Sequence, residues 1–342
     1  MRLLLNTLYI NTPNAYLNKD GENLVVKVEQ AEVFRIPIHN LEEVVMFSYM
    51  GASLGAIHLC NEHNVHLAFH KPNGEYIGSV EGPVKGNVIL RNSQFRVADD
   101  ELIAAHIAKI IVAGKIKNQR AVLHRFQRDY KDRVSDPDRF QYILDLMASY
   151  MTQALSCKDR KQLLGIEGNA AKLYFEALPN LCLNIDFAFQ GRSKRPPKDP
   201  FNALLSFFYS LLTHSIKHAL MSAGLDPYVG FYHVNRPGRV GLALDLIEEL
   251  RPYLVDRFVL SLINNRMIKL NDFIRQQDKA VLLTDEARRK VIQTWQQRKK
   301  EELIHPYIKE RIPLGLLPHV QARLLANYIR GVLDDYPVFI MP

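Results

Sequence analysis

The chain has 342 residues, 47% of them hydrophobic, which is enough for two domains that each bury a core. Its 44 Lys+Arg against 36 Asp+Glu give a net charge of +8, a balance that favours polyanionic partners such as nucleic acid. No apolar run reaches the roughly 18–20 residues that cross a bilayer, and the start shows no signal-peptide pattern. No membrane association is therefore expected, and the expected location is cytoplasmic.

The three cysteines, Cys60, Cys157 and Cys182, form no CxxC pair, so a disulfide framework and a thiolate zinc site both lack a basis. Buried free thiols are expected instead.

Up to about residue 90 the chain reads as short strands: LLLNTLYI, ENLVVKV, EVFRIPI, EEVVMFSY, VHLAFH and YIGSV. Asp20-Gly21 and Pro72-Asn73-Gly74 mark reversals, and one helix is expected over 53–63. Beyond Gly82-Pro83 and Gly86 the apolar spacing becomes helical. It predicts helices over about 99–130, 137–157, 161–178, 200–223, 239–265, 285–303 and 317–335. The fold class is α+β: a small mainly-β N-terminal domain (1–90) followed by a larger all-α C-terminal domain (91–342). The segment Gly191-Arg192-Ser193-Lys194-Arg195-Pro196-Pro197-Lys198 reads as a mobile basic loop, equally a DNA contact or a plain linker.

Three segments carry candidate chemistry. In GIEGNAAKLYF, glycines flank Glu167 and allow close approach to it, although an acid near a helix start is common without a site. In GFYH, His233 offers an imidazole from a turn between two long helices, where a histidine is more often structural. In LALDLIEELRP, the 100° helical step puts Asp245, Glu248 and Glu249 on one face and Ala243, Leu246, Ile247 and Leu250 on the other, the usual pattern of a solvated amphipathic helix. Together, Glu167, His233 and one or more acids of 245–249 make a mixed N/O donor set suited to Mg²⁺ or Mn²⁺, whereas the HExxH of zinc proteases is absent.

At these residues the chain resembles the CRISPR-associated integrase family Cas1. The likeness rests on four ordered blocks: GIEGNAAKLYF, DPFNALLSFFYSLL, AGLDPYVGFYH and RPGRVGLALDLIEELRP. Segments carrying Arg91, Gln94, Lys117, Asn118, Gln119, Gln321 and Arg323 also look like family signatures, and the pattern looks most like the type I-C branch. One departure is Tyr232, where leucine or valine commonly precedes the histidine.

The resemblance implies a homodimer joined through β domains, with a Cas2 dimer as partner in a larger acquisition complex. It implies a metal-dependent DNA endonuclease and integrase, acting on double-stranded DNA, that inserts spacers into a CRISPR array by attack of 3′-hydroxyls on phosphodiesters. Glu167, His233 and Glu248 are the implied metal ligands. The choice of Glu248 over Asp245 follows the family position and not geometry, and Asp245 is then expected to support a ligand. Lys172, Arg236, Arg239, Arg192, Lys194 and Arg195 are expected near phosphates. Further cations crowd the first long helix, among them Lys109, Lys115 and Lys117, and a second run that includes Arg288; many of these are equally solvated or paired with nearby acids, and a minority are expected to touch DNA. Two other classes stay open: a non-catalytic DNA-binding scaffold, and a hydrolytic nuclease of DNA repair.

Overall fold

A computed structural model of the chain describes residues 6–82, 88–157, 159–187, 189, 191–193 and 196–342. Lys194 and Arg195, expected as DNA contacts, lie outside the described residues.

The N-terminal elements run β1 (Thr7–Ile10), β2 (Tyr16–Asp20), β3 (Asn23–Val28), β4 (Ala31–Pro37), β5 (Glu43–Met46), α1 (Leu54–Glu62), β6 (His66–His70) and β7 (Tyr76–Val80). They build two sheets. In the first, ordered β1-β5-β6-β7, β1, β5 and β6 run parallel, with α1 as the crossover between β5 and β6, and β7 returns antiparallel. The second is an antiparallel meander of β2, β3 and β4. Strand β2 was not expected, because YLNKD lacks an apolar alternation. It forms by pairing with β3 across Gly21, whose φ of +56° closes the turn.

The run EVVMF has an apolar residue at almost every position because both faces of β5 are buried. Val44 and Met46 pack with Leu17, Leu24, Leu59 and Leu67 inside the N-terminal layer, whereas Val45 and Phe47 join the large core of the helical part.

The helices that follow are α2 (Val88–Asp99), α3 (Glu101–Asp129), α4 (Pro137–Ser156), α5 (Arg160–Ala177), α6 (Pro200–Ser222), α7 (Gly241–Arg251), α8 (Arg257–Asn264), α9 (Asp285–Lys300) and α10 (Leu317–Ile329). Asp100, Asp136, Asp159 and Asp199 each accept a backbone N–H in the first turn of α3, α4, α5 and α6, caps worth about 1 kcal/mol apiece. Between α7 and α8 the chain widens into a π turn over Pro252–Asp256. Pro252 has no N–H to give to the carbonyl four residues earlier, so the predicted 239–265 helix is interrupted there.

The C-terminal part is helical but not all-α. Two hairpins interrupt it, β8 (Phe273–Arg275) with β9 (Val281–Leu283) and β10 (Glu302–Ile304) with β11 (Arg311–Pro313), each too short to show a period in sequence. Helix α2 also begins earlier than the expected onset of helix near residue 99. Among the described residues no helix is long and apolar enough to cross a membrane. Of the three cysteines only Cys60 is fully buried, and Cys157 and Cys182 are partly covered.

Candidate active site

Helix α7 is not the solvated helix that its acidic stripe suggested. Asp245, Glu248 and Glu249 are all buried, so each needs partners within the protein. The three acids also diverge. Glu249 turns towards the C-terminal segment, where Oε1 accepts from Tyr336 Oη at 2.5 Å and Gln321 Nε2 at 3.0 Å and Oε2 accepts the N–H of Phe339 at 2.5 Å. Burial pushes its carboxyl up to about 7 against those three donors. Asn118, another of the signature residues, donates to the carbonyls of Glu249 and Phe339 and so ties α3 to the same segment.

Asp245 holds the turn that carries His233. Its Oδ2 accepts the N–H groups of Phe231 at 2.6 Å and Tyr232 at 2.9 Å, and its Oδ1 accepts the N–H of His233 at 2.8 Å. The same Oδ1 lies 2.7 Å from His233 Nδ1, which leaves Nε2 as the open nitrogen of the ring. The turn packs so closely on α7 that a Cβ on Gly230 would stand 2.6 Å from Asp245 Oδ2 and 2.7 Å from the Gly241 carbonyl carbon. From the other side Arg160 Nε donates to the Tyr232 carbonyl at 3.0 Å.

Glu248 and Glu167, on α7 and α5, meet at one cation. Lys115 of α3 is 1% exposed; its ammonium is hydrogen-bonded to Glu167 Oε1 and lies 2.7 Å from Glu248 Oε2. Arg251 lies 2.8 Å from the same Glu248 oxygen. Burial alone would raise the Glu248 carboxyl, but Arg251 and Lys115 outweigh it and hold it at about 2, ionised at any working pH. Among the described residues, these two cations are what Glu248 Oε2 faces. Tyr232 Oη is buried and has no hydrogen-bond partner among the described residues. Lys115 belongs to a run of cations of which only a minority were expected to touch DNA; such a run on a long helix does not reveal which of them turns inward.

Glu167 and Glu248 line a cleft of about 1010 Å³ together with Lys172, Arg192, Tyr209 and Arg251. Lys172 is exposed there. Arg192 donates to Asn202 Oδ1 at 2.8 Å and Ser206 Oγ at 3.1 Å and lies over the Tyr209 ring at 5.4 Å, so the described part of the basic loop packs on α6. Below it, Asp256 accepts from the hydroxyls of Tyr174, at 2.8 Å, and Tyr209. Arg236 is exposed and Arg239 half-buried, beside the His233 turn and off the cleft wall.

The residues expected as metal ligands are gathered in part. The two glutamates share one ammonium, but Glu167, His233 and Glu248 do not bring three ligand atoms within 4.8 Å of one another. Among the described residues the set that does so is Glu43, His66 and His214.

The model of the family described as CRISPR associated protein Cas1 matches residues 8–297. A CRISPR-associated endonuclease Cas1 of Rhodospirillum rubrum is 46% identical over 351 residues, covering 98% of each chain. Among solved structures, a Cas6-RT-Cas1–Cas2 complex superimposes with a TM-score of 0.84 at 27% identity, covering all of this chain and 37% of that longer one. A casposase bound to integration product gives a TM-score of 0.85 at 22% identity over 97% of this chain and 94% of that one, a likeness of fold.

Proposed function

The chain belongs to the Cas1 family, and from that premise we propose that it is a divalent-metal-dependent DNA endonuclease and integrase that inserts spacer DNA into a CRISPR array. The observation that carries this reading is the meeting of Glu167 and Glu248 at one buried cation on the wall of the cleft. Two carboxylates so close repel unless a positive charge lies between them, and Lys115 supplies it here.

The donor types suit a hard divalent ion, Mg²⁺ or Mn²⁺, which Glu167, Glu248 and the open nitrogen of His233 would hold on drawing closer together than they stand here. Such an ion, when bound, polarises a phosphoryl oxygen and offsets the charge developing on the leaving oxygen.

The chain's own residues do the rest. Asp245 fixes the orientation of the His233 ring and the path of its turn. Arg251 and Lys115 keep Glu248 ionised. Lys172 at the cleft and Arg236 and Arg239 beside it attract the DNA backbone, and Arg192, pinned by Asn202 and Ser206, sets a fixed charge on the cleft wall. Attack by a DNA 3′-hydroxyl joins strands, and attack by water cuts them.

In this reading the chain divides near residue 90, which the two separate cores support. It dimerises through the N-terminal part, where edge strand β4 leaves Val33 54% and Phe34 45% exposed. It works in the cytoplasm on double-stranded DNA, in a larger assembly with a Cas2 dimer; the likeness to a Cas6-RT-Cas1–Cas2 complex supports a Cas2 partner. Assignment to the type I-C branch rests on the sequence pattern alone.

The deciding experiment is joining of a labelled duplex into supercoiled plasmid. The wild-type chain with Mn²⁺ is expected to join strands, and Glu167→Ala is expected to lose joining while still binding duplex with a steep salt dependence. Joining that survives both Glu167→Ala and EDTA overturns the proposal.

A further inference from the structure

We infer that Glu43, His66 and His214 form a second metal site, for a borderline transition ion such as Zn²⁺, that fastens the N-terminal sheet to helix α6. Glu43 and His66 are direct partners in the parallel pairing of β5 with β6. They stand on the same faces as Val45 and Ala68, and the β5 face carrying Val45 and Phe47 packs on the helical core. His214 reaches them from α6, and all three are buried.

Helix α6 keeps this cluster apart from the cleft. Ser206, Tyr209 and Thr213 line the cleft. On another side of the same helix, Ser210 donates to the Gly74 carbonyl at 2.6 Å and Lys217 pairs with Glu81 at 2.9 Å, both facing the strands as His214 does.

The geometry is that of a ligand triangle. His66 Nδ1 lies 3.3 Å from His214 Nε2, and Glu43 Oε1 lies 3.8 Å from each nitrogen. A point equidistant from three atoms so spaced is about 2.1 Å from each, the length of Zn–N and Zn–O bonds. Without an ion, one proton can serve the His66–His214 pair, and Glu43 Oε1 is beyond hydrogen-bond reach of both rings.

The other carboxylate oxygen is held by Thr7 Oγ1 at 3.3 Å, and Lys299 Nζ donates to that hydroxyl at 3.1 Å, the kind of outer support that orients a ligating carboxylate. His70, His218 and His319 surround the cluster, and Nε2 of His66 and of His70 have no hydrogen-bond partner among the described residues.

Two imidazoles and one carboxylate favour a borderline ion over Mg²⁺, which takes oxygen donors. The role is structural: the site is closed in by the sheet and α6 and lines no part of the cleft. One consequence is that chelators act on this protein in two places.

The test uses the full chain carrying Glu167→Gln and His233→Ala, so that two of the three proposed catalytic ligands are removed and Glu248 is left with Arg251 and Lys115. After dialysis against a chelator it is titrated with ZnCl₂ and, for its visible spectrum, with CoCl₂. One equivalent bound per chain, a Co²⁺ spectrum typical of low-coordinate nitrogen and oxygen ligation, and a raised thermal midpoint are expected. Adding His66→Gln or His214→Gln is expected to weaken Zn²⁺ binding at least about a hundredfold. The nearly isosteric Glu43→Gln serves as the variant least able to disturb packing and is expected to lose affinity likewise while the metal-free midpoint stays near that of its parent. The inference is overturned if the parent binds no equivalent, or if Glu43→Gln and the histidine variants bind as tightly as the parent.

Discussion

Asp245 Oδ1 accepts the backbone N–H of His233 at 2.8 Å and lies 2.7 Å from Nδ1 of the same residue, so one carboxylate fixes both the main chain and the ring. Asp245→Asn keeps the shape but offers one carbonyl oxygen to four donors, and its NH₂ then faces backbone N–H groups. Strand joining is expected to fall by roughly 10–100-fold. The thermal midpoint is expected to fall as well, because each buried N–H left unpaired costs about 1–3 kcal/mol. Full joining activity in Asp245→Asn would show that the ring needs no such anchor.

Lys115 is the internal counterion of Glu167 and Glu248. Lys115→Met removes the charge and keeps most of the stem, leaving Glu248 with Arg251 alone and Glu167 without the cation it shares with Glu248. In the absence of divalent metal the variant is expected to lose about 3–5 kcal/mol, the usual result of removing one partner from a buried ion pair. Added Mn²⁺ replaces the missing charge, so the metal-induced rise in midpoint should exceed that of the wild type. Differential scanning fluorimetry with and without MnCl₂ reads this directly, and an equal rise in both proteins counts against metal binding by these two acids.

The parts that were legible in the sequence are those in which a residue's chemistry and its period agree. ENLVVKV and VHLAFH declared strands, and the caps Asp100, Asp136, Asp159 and Asp199 sit where helical periodicity begins. Strand β2 was hidden because Tyr16–Asp20 is held by its pairing with β3 and not by its own pattern, although Asp20-Gly21 was a turn signal. In the site, the blocks around Glu167, His233 and Glu248 could be read, but burial could not. A solvated acidic stripe and a buried one have the same spacing, so the separate fate of Glu249, the inward turn of Lys115 and the 2% exposure of Arg288 were all missed. Arg288, grouped with surface cations, instead spans to the N-terminal part, donating to the Pro72 carbonyl at 3.1 Å and lying 5.5 Å over the Phe47 ring. Glu43, His66 and His214 are far apart in the chain, and only the pairing of β5 with β6 beneath α6 brings them together.

Gly230 tests how tightly the His233 turn must sit on α7. A methyl group there meets the Asp245 carboxylate and the backbone of Gly241 and Leu242, which cannot give way as a flexible side chain would. Gly230→Ala is expected to lift the turn, breaking the bonds from Phe231 and Tyr232 to Asp245, and to reduce strand joining as severely as Asp245→Asn does. Duplex binding should be retained, since the exposed Lys172 stands on α5 at the cleft and not on the turn. Gel shift and joining assays on one preparation separate the two effects, and equal loss in both would mean that the variant is unfolded or that the turn itself holds DNA.

His319, packed near His218 with Nε2 3.8 Å from Glu42 Oε1, gives the stability of the fold a pH dependence whose sign is fixed by its surroundings. Burial, with Lys299 adding repulsion, lowers its imidazole to about 4. A lowered value means that the unfolded chain binds the proton more readily than the folded one. The contribution of neutral His319 is therefore fully present above about pH 6.5 and is lost as pH falls towards 4. Glu42 works in the opposite direction: burial raises its carboxyl to about 7, so its protonated form favours the folded state and that benefit fades as pH rises towards 7. That opposing contribution is common to the wild type and to His319→Gln and largely cancels in their difference. The wild type is expected to lose up to about 3 kcal/mol relative to His319→Gln between pH 6.5 and pH 4, at roughly 1.4 kcal/mol per pH unit. Urea unfolding of both proteins across this range measures it, and parallel stability profiles would mean that His319 is protonated in the fold as readily as in the unfolded chain.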